Sequence, residues 1–135
     1  MTPRYLMVSA GEQLFGVGDL EATLGVYQLI EGNITNGGPV WKNIVDGIGE
    51  RHLMRAADGG HWIITDGSAT FIRSKWSDLL PMFVPTGDWM YRNHMSLEYE
   101  VEESISVVRD FDGKYGPSID TRLEFLLILP KYYIK

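Results

Sequence analysis

A chain of 135 residues, 44% hydrophobic and 22% charged, is long enough to bury a sizeable core and too apolar to stay disordered, so length and composition predict one folded domain over 1–135, which the turn and strand signals below make β-rich. Twelve Lys and Arg against eighteen Asp and Glu leave a net charge of -6, a field that repels phosphate backbones and anionic lipid and argues against nucleic acid and membrane as partners. The absence of cysteine excludes disulfides, thiolate metal sites and thiol nucleophiles.

In chain order, residues 1–10 hold too short an apolar run for a secretory core segment, which sets a cytosolic expectation. The sequon Asn33-Ile34-Thr35 would matter only in a secreted chain. A helix candidate covers 19–24, where Asp19 can cap the first turn. Strands are then predicted over 24–30, 39–45, 51–56, 61–65 and 88–92, all rich in β-branched and aromatic residues. The dipeptides Asn36-Gly37, Asp46-Gly47, Asp58-Gly59, Asp66-Gly67 and Asp112-Gly113 supply the positive φ that tight hairpins need. A second helix candidate, 74–80, is closed by Pro81.

Residues 97–102 alternate Leu97, Tyr99 and Val101 against Glu98, Glu100 and Glu102, the pattern of a half-buried strand. The segment 104–108 is expected to continue it past a bulge or kink near Glu102-Glu103. Continuous apolar content over 121–129 fits a strand covered on both faces or a buried helix, and Pro130 ends it. The tail 131–135 is read as a last strand or as a segment that docks elsewhere, another subunit included. The fold class is mainly β: a single antiparallel meander, barrel or sandwich with one or two short helices.

The stretches Gly25-Val26-Tyr27, Asn36-Gly37-Gly38-Pro39-Val40-Trp41 and Gly60-His61-Trp62-Ile63-Ile64 carry a further pattern, echoed by Pro85-Thr86-Gly87-Asp88-Trp89-Met90-Tyr91. In it the chain resembles, from Phe15 to Tyr91, a small β-meander module of microbial eukaryotes, with one glycine more before Pro39 than the tightest form of the pattern. The resemblance implies a strand-rich fold and carries over no activity.

Chemistry-bearing residues are few in pattern. Glu98, Glu100 and Glu102 on one strand face are too few oxygens for calcium and read as a solvated face. The loop 110–120 has its glycine in the wrong place for a calcium-binding hand. His52, His61 and His94 lack metal-ligand spacing, although His52 and His61 could meet across a hairpin; neither a metal nor a cofactor is expected. His61, Asp66 and Ser68 supply a Ser-His-Asp set on paper, without a nucleophile elbow, and Gly16 to Glu21 lacks the third glycine of a dinucleotide fingerprint.

Tyr27, Trp41, Trp62, Trp76, Trp89 and Tyr91 are numerous, and in a small β domain most such rings fill the core. The leading expectation is a non-catalytic binding or interaction module whose aromatic face, around Tyr27, Trp41, Trp62 and Trp89, meets a small molecule, a glycan or a protein. The alternatives are a small enzyme using His61 with Asp58 or Asp66 as acid and base, and a structural homo-oligomer built on the apolar end 123–134.

Overall fold

The computed structural model describes residues 2–11, 22–43, 50–93 and 95–110. Nine strands make one antiparallel sheet there: β1 (Tyr5–Ser9), β2 (Gly25–Thr35), β3 (Gly38–Asn43), β4 (His52–Arg55), β5 (Trp62–Thr65), β6 (Thr70–Ser74), β7 (Trp89–Arg92), β8 (Tyr99–Val101) and β9 (Ser106–Arg109). Their order, β8-β7-β6-β5-β4-β3-β2-β1-β9, is an uninterrupted meander to which β9 adds itself beside β1. The meander expected from the sequence is present, and among the described residues 3-10 turns stand at Pro81–Phe83 and Thr86–Asp88. No helix among the described residues is long and apolar enough to cross a membrane.

The chain itself forces the sheet to curl. Laid flat, nine strands would set the two edges about 38 Å apart at ~4.8 Å per strand. Yet β8 and β9 are consecutive strands on opposite edges, and the five residue steps from Val101 to Ser106 span at most ~18 Å. The sheet therefore bends into a half-barrel. Pro81–Phe83 packs against β9, and Val84, Ile105 and Val107 join the core.

Side-chain alternation turns this curvature into a core. Leu29, Trp41, Leu53, Ile64, Ile72 and Tyr91 are successive cross-strand partners from β2 to β7, so one register line carries an apolar residue inward from each of six strands. The turns hold that register. Asn36 and Gly37 both take positive φ (51° and 84°), the two-residue hairpin that Asn-Gly favours. The Asp66 carboxylate accepts from Ser68 N, Ser68 Oγ and Ala69 N, closing β5 to β6.

Three expectations are corrected. Residues 74–80 form no helix: Ser74 ends β6, and Pro81 opens a 3-10 turn as its first residue, with Leu80 held extended before it. Residues 97–108 are not one bulged strand, because the chain turns at 102–105 and β8 and β9 lie on opposite edges. Leu97 is not on the strand; it sits exposed in the β7–β8 turn at φ 62°.

The strands β1 and β6 were not anticipated. The segment 121–129, the tail 131–135, the turns Asp46-Gly47 and Asp112-Gly113, all but the first residue of the loop 110–120, the stretch 16–21 and His94 lie outside the described residues. Of the first helix candidate, only residues 22–24 are described, and 22 and 23 take 3-10 conformation.

Candidate binding site

Tyr27, Trp41, Trp62 and Trp89 are all fully buried and belong to the core. The Tyr27 hydroxyl donates to Thr23 O (2.6 Å), and the Trp41 indole N–H donates to Pro3 O (2.9 Å). Trp62 donates to Leu79 O (2.8 Å) and meets Trp41 edge-on, with ring centroids 5.9 Å apart. The buried Trp89 Nε1 has no acceptor among the described residues. These four rings show no face to solvent.

Trp76 behaves differently, being 63% exposed. Covering an aromatic surface of that extent would be worth roughly 3–4 kcal/mol. The ring is nevertheless not loose. It lies against Gly60, where a Cβ would run into Cε3, Cζ3 and Cδ2 of the indole, so only glycine admits the contact. His61 approaches it edge-on at 84°, with centroids 5.6 Å apart. One side is thus backed by the β4–β5 turn while most of the ring surface remains open.

The loop after β6 holds Trp76 in this place through main-chain bonds. Ser77 N donates to Gly60 O (2.8 Å) and Lys75 N to Asp88 O (2.8 Å). The guanidinium of Arg55 lies 4.3 Å above the Trp62 ring and donates to Ser77 O (2.5 Å) and Leu79 O (3.3 Å). Ser77 O and Leu79 O are thereby engaged by Arg55 and Trp62, which ties the extended loop to β4 and β5.

Beside the ring sits His61, which in turn lies against Asp58. Asp58 Oδ1 accepts from Gly60 N (2.8 Å) and His61 N (3.4 Å), and Oδ2 faces His61 Nε2 at 3.5 Å. The backbone bond from Gly60, helped by the His61 ring, holds the Asp58 carboxyl below its usual range. His61 Nδ1 lies 2.9 Å from Ser74 O. A carbonyl only accepts, so Nδ1 carries a proton.

Other candidate groups are dispersed. Ser68 gives its hydroxyl to Asp66 (2.9 Å), whose carboxyl is held down to about 2 by the backbone N–H groups of Ala69 and Ser68. These lie beyond the far end of β5 from His61, about 16 Å along the chain, so the paper triad does not assemble. His52 and His61 do not meet across the hairpin: His52 pairs with Thr65, whereas His61 O accepts from Ala56 N at the other end. Glu100 bonds Asn93, and Glu102 accepts from Ser104 N (3.1 Å) and Oγ (2.8 Å), both serving turns. Among the described residues no three His, Asp or Glu side chains converge on one point.

Compared with protein-family models, with curated proteins and with solved structures, the chain finds no match.

Proposed function

We propose that this chain is a non-catalytic binding module that takes its ligand on Trp76. The observation that carries the reading is the contrast among its four tryptophans: three are fully buried, and the fourth is 63% exposed yet fixed in orientation by Gly60 and His61. A fixed aromatic face loses little conformational entropy when it binds, and so gives most of its contact energy to the complex. Binding without turnover is supported by the dispersal of polar groups, since the Ser68 hydroxyl is engaged with Asp66 at the far end of β5 from the His61 and Asp58 pair.

A thermal-shift panel of neutral oligosaccharides, nucleotides, basic and proline-rich peptides and divalent metals tests the reading, because whatever binds only the folded state raises Tm. A rise in the wild type that is lost in Trp76→Ala supports it. A rise of equal size in Trp76→Ala puts recognition elsewhere, and chemical conversion of the bound compound contradicts the non-catalytic part.

A further inference from the structure

We infer that Asn36 is a modification site: its amide is converted to an acid through attack by the Gly37 backbone nitrogen, at a rate set by opening of the β2–β3 tip, and the product releases a clasp between two hairpins.

The reactive pair is set by the sequence. Of the four asparagines, Asn33 and Asn43 precede isoleucine and Asn93 precedes histidine, side chains that hinder approach of their own backbone nitrogen, whereas Asn36 precedes glycine. The space at Gly37 is open too, since a Cβ built there would meet nothing within 4 Å. In the reaction the Gly37 nitrogen bonds to Asn36 Cγ, the Cγ–Nδ2 bond breaks, and Nδ2 leaves as ammonia with the proton from Gly37. A five-membered cyclic imide remains. Water then opens it at either carbonyl, giving an aspartyl or an isoaspartyl residue, with nothing oxidised or reduced.

Two features hold the reaction back while the tip is closed. Asn36 and Gly37, at φ 51° and 84°, form the tight turn across which Thr35 faces Gly38, so the Gly37 nitrogen cannot swing onto Cγ until that pair parts. The leaving nitrogen is also held, because Asn36 Nδ2 donates to Arg55 O (3.0 Å).

The tip itself is weakly secured. The pairs Ile34↔Pro39 and Thr35↔Gly38 are its ladder among the described residues, because the register shifts between Leu29 and Ile34. Residues 31–34, 36 and 37 are exposed, Ile34 at 70%, so little apolar burial resists opening. Such a tip opens without the rest of the sheet.

The consequence lies at the clasp. The bond from Asn36 to Arg55 O joins the β2–β3 tip to the end of β4, and the β4–β5 turn lies alongside, where a Cβ at Gly59 would stand 3.8 Å from Asn36 O. An acid in place of the amide sets a carboxylate oxygen against a carbonyl oxygen, two acceptors with no proton between them. The isoaspartyl form also lengthens the main chain within a turn whose length fixes the register. Loss of ammonia makes the release one-way.

The test incubates the full chain at neutral pH and body temperature, folded in buffer and unfolded in guanidinium, with peptide mapping that separates aspartyl from isoaspartyl forms. The expected result is conversion of residue 36 in the folded chain about tenfold or more below the unfolded rate, the rate scaling with the open fraction, while Asn33, Asn43 and Asn93 stay intact. Ile72→Val loosens the core far from the tip and should leave the folded rate unchanged. Asn36→Asp, which keeps an Asp-Gly turn but deletes the donor to Arg55 O, should speed hydrogen exchange at Thr35 and Gly38 by about threefold or more.

No conversion in the folded chain while the unfolded chain converts fully overturns the inference, and so do equal rates in the two. A rate that rises in Ile72→Val in step with its lost stability assigns the reaction to global unfolding and overturns gating by the tip. Unchanged exchange at Thr35 and Gly38 in Asn36→Asp removes the clasp.

Discussion

Trp62 and Trp76 occupy the same corner of the molecule and do opposite work. Trp62, on β5, is covered by the Trp41 edge and the Arg55 guanidinium, and its N–H is taken by Leu79 O. Trp76, in the loop after β6, has the Gly60 backbone and the His61 edge and is otherwise open. Both are fixed, but only the first contributes its full surface to folding. Seating and burial are thus separable in this fold, and a ring that has the first without the second is the one to examine for binding.

The sharpest way to break the comparison is truncation. Trp62→Ala or Trp41→Ala should lose about 3–5 kcal/mol in chemical denaturation, the usual cost of emptying a buried aromatic site. Trp76→Ala should lose under about 1 kcal/mol. Equal losses at 62 and 76 would put both rings in the core and end the distinction.

Next in size is Arg55→Met, which keeps much of the stem that packs on Trp62 but removes the donors to Ser77 O and Leu79 O. The expected loss is about 1–3 kcal/mol, with faster hydrogen exchange at Ser77 N, whose bond to Gly60 O depends on the same loop. A finer comparison sets Trp62→Phe against Trp89→Phe. Both shrink a buried ring, but only the first deletes a satisfied N–H, so Trp62→Phe should be the more costly by about 1 kcal/mol.

The smallest expected effect is at Asp66. Its carboxyl is depressed to about 2, below the value it has in an unfolded chain, so its contribution to stability is complete above the ordinary carboxylate range and is lost as pH falls toward about 2. Wild-type stability should decline over that window, and Asp66→Asn should flatten the decline measurably in urea titrations at pH 2 and 4.5. An unaltered slope would remove Asp66 from the account.

Much of the sheet was legible in the sequence because its signals are local. Asn36-Gly37 and Asp66-Gly67 demand tight turns, and the runs between such turns became β2 to β5. The strand β1 was hidden because Leu6, Met7 and Val8 are all buried, so neither face shows the polar alternation that marks a surface strand. In β6, Thr70, Ile72 and Ser74 alternate with Phe71 and Arg73, a weak pattern in which only Ile72 is an apolar inward residue.

The split between β8 and β9 depends on curvature, which no window of 97–108 contains. For the candidate site, the residue type was visible but its environment was not. Trp41, Trp62 and Trp89 each have apolar residues next to them in the chain, whereas Trp76 sits in Ser74-Lys75-Trp76-Ser77-Asp78, and that polar setting was the available sign that this ring faces solvent. The partner that fixes it, Gly60, is distant in sequence and could be found only through the fold.

One tryptophan of the four is solvent-facing, and acrylamide quenching of intrinsic fluorescence reads that exposure directly. The readily quenched fraction of wild-type emission should disappear in Trp76→Phe, leaving a blue-shifted, weakly quenched spectrum from Trp41, Trp62 and Trp89. Strong quenching that persists in folded Trp76→Phe would contradict it.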